Sequence, residues 1–145
     1  MRWPQHVAAG SVSDQVSGFE DWMPTLLELI GANNRVPHDI DGISLAPTLL
    51  GTHQQPRPFL YREFSSYGGQ QSIRAGDWKA IRQNMTRGNL EIELYNLLSD
   101  AGEQRNVAKQ HPEVVERLAQ LMKQEHTPSQ LFPLTPIDAP VKRGK

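Results

Sequence analysis

Alternation of apolar and polar positions predicts a β-hairpin over residues 71–82. Gly76-Asp77 is a two-residue turn signal between two alternating runs. With that turn, Arg74 lies directly opposite Lys79 on one face of the hairpin. The opposite face is apolar and needs a core; it carries Ile73, Ala75, Trp78 and Ala80.

The charged face of this hairpin predicts a carboxylate partner, because like charges directly opposite each other destabilise a sheet. Residues 89–96 also alternate, and they place Glu91 and Glu93 on one side. We therefore expect residues 89–96 to form a strand beside the hairpin, with its two glutamates pairing with Arg74 and Lys79.

Two further segments have the three- and four-residue spacing of amphipathic helices. The first is expected at about 18–30, and its apolar positions are Phe19, Trp22, Met23, Leu26, Leu27 and Ile30. The second begins at Pro112, the favoured first helical position, and its stripe is Val114, Val115, Leu118, Leu121 and Met122. A short helix is expected at about 45–50, and a strand over Phe59–Phe64. The predicted fold class is α+β: a small antiparallel sheet of about four strands packed by a C-terminal helix.

Composition narrows the classes of function. The chain has 145 residues, a formal net charge of −1 and no cysteine. Disulfides, thiolate metal sites and a cysteine nucleophile are excluded, and there is no basic field to attract nucleic acid or an anionic membrane. No apolar run is long enough to span a bilayer. The five histidines lack the spacing of a metal pair, so we expect no metal site. From the near-zero net charge and the lack of a long apolar run, we expect neither nucleic acid nor a membrane as a partner.

The polar residues around Gly68-Gly69 are the candidates for ligand contacts. They lie where strands end, and loops at strand ends often carry binding groups; they are Glu63, Tyr67, Gln70 and Gln71. Two adjacent glycines would let the backbone approach a ligand closely. The alternative is that Glu63 pairs with Arg74 or Lys79 inside the sheet. No complete active site is visible in these residues.

Four segments, taken in order, resemble the C-terminal part of the arylsulfatase-type sulfatases of the alkaline phosphatase superfamily. They are residues 21–31, residues 41–51, residues 71–82 with the Arg-x-Gly-Asp-Trp-Lys core, and residues 93–97 running on to Asp100, Glu103 and Asn106. The resemblance covers the chain from about Arg2 to Pro133. Asn96 and Ala101 depart from the family pattern, which shows Asp and Pro there.

The resemblance implies an enzyme whose reactive groups are absent from this chain. Sulfatases use a formylglycine, made from Cys or Ser in a Cys/Ser-x-Pro-x-Arg motif, and a calcium ion held by aspartates and an asparagine. Neither the motif nor the ligand set can be mapped here. We therefore expect no catalytic residue in this chain, and we expect formylglycine and calcium in the intact parent. Many sulfatases are periplasmic or secreted, but the residues of this chain do not identify the compartment of the parent.

The resemblance also predicts how the chain is divided. Residues 1–51 would end the catalytic region, residues 52–135 would form the C-terminal subdomain, and residues 136–145 would be a flexible tail. The partners implied are a missing N-terminal catalytic domain and a sulfated small molecule or carbohydrate, which Glu63, Tyr67, Gln70 and Gln71 would contact. Two alternatives are a stand-alone binding module derived from a sulfatase and a part of a related phosphoester hydrolase. An apolar patch left exposed near Phe19–Ile30 or Trp3 would favour the parent enzyme over a stand-alone module.

Overall fold

The structure, a computed structural model, describes residues 1–134 and 136–138. The chain divides into two compact units, Met1–Pro58 and Phe59–Lys145. The first unit contains α1 (Trp22–Leu29) and α2 (Ala46–Leu49). The second contains β1 (Leu60–Phe64), β2 (Gln70–Ala75), β3 (Trp78–Arg82), β4 (Glu93–Asn96) and α3 (Pro112–Glu125). The predicted domain boundaries stay a prediction, and residues 139–145 of the predicted tail lie outside the described residues.

The four strands form one antiparallel sheet in the order β1-β2-β3-β4. The hairpin register is the predicted one, since Ala75 faces Trp78, Arg74 faces Lys79 and Ile73 faces Ala80. Gly76 adopts φ +59°, a left-handed conformation that glycine reaches without strain. The α+β fold class is confirmed.

Helix α3 covers the apolar face of the sheet. The buried core joins strand residues to helix residues and consists of Ile73, Ala75, Ala80, Leu94, Leu118 and Met122. Val114, Val115 and Leu121 of the predicted stripe pack around this core. Pro112 is the first residue of α3, as predicted, where its missing N–H costs no hydrogen bond.

The predicted carboxylate partners of the hairpin are wrong. Strand β4 begins at Glu93 and not at Asn89, because the side chain of Asn89 donates to Gln83 O (2.9 Å) and accepts from Glu91 N (3.1 Å). Such local side-chain bonds compete with strand pairing. Tyr95 therefore lies opposite Lys79, whose Nζ is 2.5 Å from Glu103 Oε1 in the loop that follows β4.

Helix α1 of the first unit buries its polar side. Asp21, just before the helix, and Thr25 are fully buried, and both bind the backbone of the segment at residues 43–45. Ile43 N donates to Asp21 Oδ1 (2.9 Å), and Leu45 N donates to Thr25 Oγ1 (2.8 Å). Large apolar residues of the helix and of its flanking residues are exposed, namely Phe19, Trp22, Met23, Leu26 and Ile30. The predicted exposed apolar patch is therefore present on this helix. Over the described part of the chain, none of the helices is long and apolar enough to cross a membrane.

Candidate functional site

The sheet brings two of the four predicted ligand-contacting residues together. In the β1–β2 pairing, Glu63 lies directly opposite Gln71. Directly opposite residues of an antiparallel pair share a face and have Cβ atoms about 5 Å apart. Gln71 Nε2 accordingly lies 3.3 Å from Glu63 Oε1. We call the polar group built around this pair the Glu63 network; it comprises Tyr61, Glu63, Gln71, Arg82, His126 and Asp138.

Hydrogen bonds in the Glu63 network run in one direction. Arg82 Nη1 donates to Gln71 Oε1 (2.9 Å), so the amide nitrogen of Gln71 faces the other way. That nitrogen donates to the hydroxyl oxygen of Tyr61 (2.6 Å), and the Tyr61 hydroxyl donates to Glu63 Oε1. A guanidinium can only donate and a carboxylate can only accept, so the two ends determine the direction of every bond between them.

The carboxylate end of the network is also bound from the C-terminal side of α3. His126 follows the last helical residue, and its Nδ1 lies 2.5 Å from Glu63 Oε1. Its Nε2 lies 2.8 Å from Asp138 Oδ1. The second oxygen of Asp138 accepts from Leu134 N (2.6 Å). His126 thus joins β1 to the segment that contains Leu134 and Asp138.

The network changes the acidity of its members. Burial raises the pKa of Tyr61 well above its ordinary value, and the hydrogen bond to Glu63 raises it further, so the hydroxyl stays protonated and donates. Burial lowers the pKa of Arg82 from its ordinary value. For His126, burial alone would lower the pKa, but the hydrogen bonds and charges of Glu63 and Asp138 together outweigh it and the pKa is raised.

Tyr67 and Gln70 lie outside this network. Tyr67 is 84% exposed, has φ +50° and stacks on Phe64 with ring centroids 5.8 Å apart. Gln70 is half-buried and faces Phe64 across the β1–β2 pair. All four predicted residues remain predictions as ligand contacts, but their surroundings differ: Gln71 is buried at 1% exposure, whereas Tyr67 is open to solvent.

The two glycines of this region approach protein backbone. Met85 N donates to Gly69 O (3.1 Å), and Thr86 N donates to Gly68 O (2.9 Å). A Cβ at Gly69 would lie 3.2 Å from Met85 Cβ. Because Gly68 and Gly69 lack side chains, the backbone of this loop can approach and pair with residues 85 and 86.

Sequence reasoning missed four members of the network: Tyr61, Arg82, His126 and Asp138. Tyr61 and Arg82 could have been found, because both lie on predicted strands next to Glu63 and Gln71. His126 and Asp138 could not, because no periodicity relates His126 to Glu63, 63 positions earlier, or to Asp138, 12 positions later. The alternative in which Glu63 pairs with Arg74 or Lys79 is wrong, since Glu63 is bound by His126 and Lys79 by Glu103.

The family described as N-sulphoglucosamine sulphohydrolase, C-terminal, matches residues 1–128. The chain belongs to this sulfatase family. It is similar to arylsulfatase A of Bos taurus, with 31% identity covering 84% of this chain and 28% of the relative. It is also similar to N-acetylglucosamine-6-O-sulfatase of Bacteroides thetaiotaomicron, with 31% identity covering 86% of this chain and 24% of the relative. The chain thus spans about a quarter of the length of these curated sulfatases.

Solved structures agree with this assignment. A structure in complex with its substrate, D-glucosamine-2-N,6-O-disulfate, is 29% identical with a TM-score of 0.72, covering 85% of this chain and 26% of the solved one. A 2-O GAG sulfatase is 30% identical with a TM-score of 0.60, covering 72% of this chain and 23% of the solved one. The resemblance to arylsulfatase-type sulfatases is confirmed, and the four-stranded sheet with its helix is the sulfatase C-terminal fold.

The residues of this sulfatase chain do not fit the cofactors that the family implies. The sequence has no cysteine and no Ser-x-Pro-x-Arg motif from which a formylglycine could be made. Within residues 1–134 and 136–138, no group of three or more His, Asp or Glu side chains is placed to hold a metal ion. The Glu63 network can bind and orient a polar ligand, because it holds a carboxylate and a histidine at partly exposed positions.

Proposed function

We propose that this chain is the C-terminal subdomain of a hydrolase acting on sulfate esters of a carbohydrate. It lines one side of the substrate cleft and supports the catalytic domain. The reacting groups, a formylglycine and a calcium ion, belong to an N-terminal domain. The family match and the similarity to sulfatases of sugar substrates support this proposal.

The proposed binding role depends on how the Glu63 carboxylate is bonded and exposed. Its Oε1 accepts from three donors, Tyr61, Gln71 and His126. Over the described residues 1–134 and 136–138, no donor reaches its Oε2, and the Glu63 side chain is 25% exposed. An oriented carboxylate with one oxygen available suits a sugar hydroxyl, because charge-assisted hydrogen bonds are stronger than neutral ones.

Among the neighbouring residues, Tyr67 and Gln70 would contact the substrate, whereas Gln71 would hold Glu63 in place. Tyr67 presents an exposed aromatic ring beside Phe64, and a sugar ring packs well on such a surface. Gln70 begins β2 and lies opposite Phe64. Gln71 is buried with both ends of its amide bonded, so its part is to hold Tyr61 and Glu63 in place.

The exposed apolar patch on helix α1 is the surface that we propose contacts a partner domain. Phe19, shortly before the helix, is 88% exposed, and Ile30, directly after it, is 75% exposed. Trp22, Met23 and Leu26 of the helix are also exposed. A contiguous apolar surface of this kind is typical of an interaction site. The occupant we propose is the catalytic domain, since about three quarters of the length of the curated sulfatases lies outside this match. A stand-alone module would be expected to carry polar residues there.

Substitutions in the intact enzyme test the binding role. Because a hydrogen bond to a charged group contributes about 1.5–3 kcal/mol, we expect Glu63→Gln to lower kcat/KM on a sulfated monosaccharide about 10- to 100-fold. Tyr67→Ala should lower it without touching the network. Glu116→Gln on the exposed side of α3 removes the same charge and is the matched control. Thermal melting of each variant checks the fold.

Two outcomes would contradict the proposal. If kcat/KM is unchanged in both Glu63→Gln and Tyr67→Ala, the sheet edge does not contact the substrate. If the intact enzyme hydrolyses a phosphate ester faster than the matching sulfate ester, the enzyme belongs to the phosphoester alternative.

A further inference from the structure

His126 is placed between two carboxylates. Its two ring nitrogens lie 2.5 Å from Glu63 Oε1 and 2.8 Å from Asp138 Oδ1. The His126 side chain is 11% exposed and the Asp138 side chain 6%. Ionised carboxylates accept hydrogen bonds and cannot donate them. A neutral imidazole carries one N–H, so only the doubly protonated ring satisfies both contacts.

The other charged and titratable groups around His126 keep this arrangement. From β1, the Tyr61 hydroxyl donates to Glu63 Oε1, the same oxygen that His126 contacts. From β3, Arg82 donates to Gln71 Oε1, and the amide nitrogen of Gln71 lies 3.3 Å from Glu63 Oε1. From the C-terminal segment, Asp138 faces the ring directly.

Asp138 is itself held in place. Its Oδ2 accepts from Leu134 N (2.6 Å), and its own backbone N donates to Leu134 O (3.0 Å). Leu134 is 1% exposed, and its Cδ2 would lie 3.4 Å from a Cβ built at Gly69. A buried leucine thus fixes Asp138, Asp138 orients the His126 ring, and the ring orients Glu63.

We propose that His126 is a positioning residue for Glu63, with Asp138 as its support, and that Glu63 is oriented for substrate only while His126 is protonated. This inference rests on the proposed function, because it assigns Glu63 the substrate contact. It adds two residues to the binding machinery and makes the affinity for substrate depend on pH.

The sign of the pH dependence follows from the raised pKa of His126. A base whose pKa is raised on folding contributes its stabilisation fully below its ordinary value, 6.5 for histidine. That contribution is lost as pH rises through the raised pKa. The two contacts of His126, with Glu63 and with Asp138, are therefore complete in mildly acidic solution, and one of them is lost in alkaline solution.

Histidine titration by NMR tests the geometry without reference to activity. In the intact protein labelled with 13Cε1-histidine, the resonance missing from His126→Gln identifies His126. We expect its pKa above 6.5 and a lower pKa in Asp138→Asn, because one opposite charge is removed. His53→Gln, an exposed histidine of the first unit, is the matched control and should leave the His126 titration unchanged. A His126 pKa at or below 6.5, or one that Asp138→Asn does not move, overturns the inference.

Kinetics then tests the role in binding. We expect the KM of the wild type to rise about tenfold as pH passes through the His126 pKa, with kcat changed less than about twofold. Glutamine cannot titrate, so His126→Gln should flatten this KM profile, whereas a merely structural residue would leave its shape unchanged. If NMR gives the expected shifts but neither Glu63→Gln nor His126→Gln changes KM, the proposed substrate contact is wrong, whereas the contacts of His126 with Glu63 and Asp138 are confirmed. If Glu63→Gln raises KM but His126→Gln keeps the wild-type pH profile, the positioning role fails alone.

Discussion

Replacing Asp21 by alanine would leave the guanidinium of Arg57 buried without its carboxylate. The two side chains form an ion pair, and their exposed fractions are 0% for Asp21 and 7% for Arg57. Asp21 also accepts from two backbone N–H groups, Gly18 at 2.7 Å and Ile43 at 2.9 Å. One side chain therefore ties the start of α1 to a segment about twenty residues later.

The expected loss is large for one partner and smaller for the other. Removing one member of a buried pair costs about 3–5 kcal/mol in the free energy of unfolding, because the remaining charge is uncompensated. We expect this loss for Asp21→Ala. Arg57→Met should cost less, about 1–3 kcal/mol, because the carboxylate keeps its two backbone donors. Asp21→Asn should lie between, since it keeps an oxygen for one N–H.

Native-state hydrogen exchange is the assay, because it measures local opening at single amides. The amides of Ile43 and Leu45 report directly, since they donate to Asp21 and Thr25. Asp14→Ala, an exposed carboxylate of the same unit, is the control. If Asp21→Ala does not fold, Asp21→Asn supplies the measurement. A loss below about 1 kcal/mol for the Asp21 variant, or a larger loss for Arg57→Met, would refute the reasoning.

Two further substitutions test packing, both read by thermal or urea unfolding. Leu118→Ala empties a fully buried site and should cost about 2–5 kcal/mol, whereas Leu98→Ala at 79% exposure should stay within about 0.5 kcal/mol. Gly42→Ala would place a Cβ 2.2 Å from the backbone oxygen of Glu20 and should destabilise by about 3 kcal/mol. Gly10→Ala meets nothing within 4 Å and should cost only its backbone strain. Equal losses within either pair would contradict the packing described.

Local patterns were sufficient for the second unit's framework. The hairpin register follows from a two-residue turn, because that turn leaves no freedom in which residues face each other. The start of α3 at Pro112 is equally local. The end of β4 nearest the hairpin was predicted and its beginning was not, because Asn89 uses its side chain to bind nearby backbone.

Long-range partners were beyond such patterns. Lys79 binds Glu103 because the loop after β4 turns back, with Glu103 in a left-handed conformation at φ +54°. Glu63 and Gln71 were selected because they lie near strand ends, and the antiparallel pairing made them neighbours. His126 joined them only because α3 ends beside β1.

By itself, the order of residues determined the family, the fold class and the absence of a formylglycine motif, since these depend on short motifs and on periodicity along the chain. The tertiary structure decided which carboxylate meets which cation and how a histidine comes to bridge Glu63 and Asp138. Such contacts join residues far apart in the chain, and the free energy that selects them comes from packing, which spacing alone does not encode.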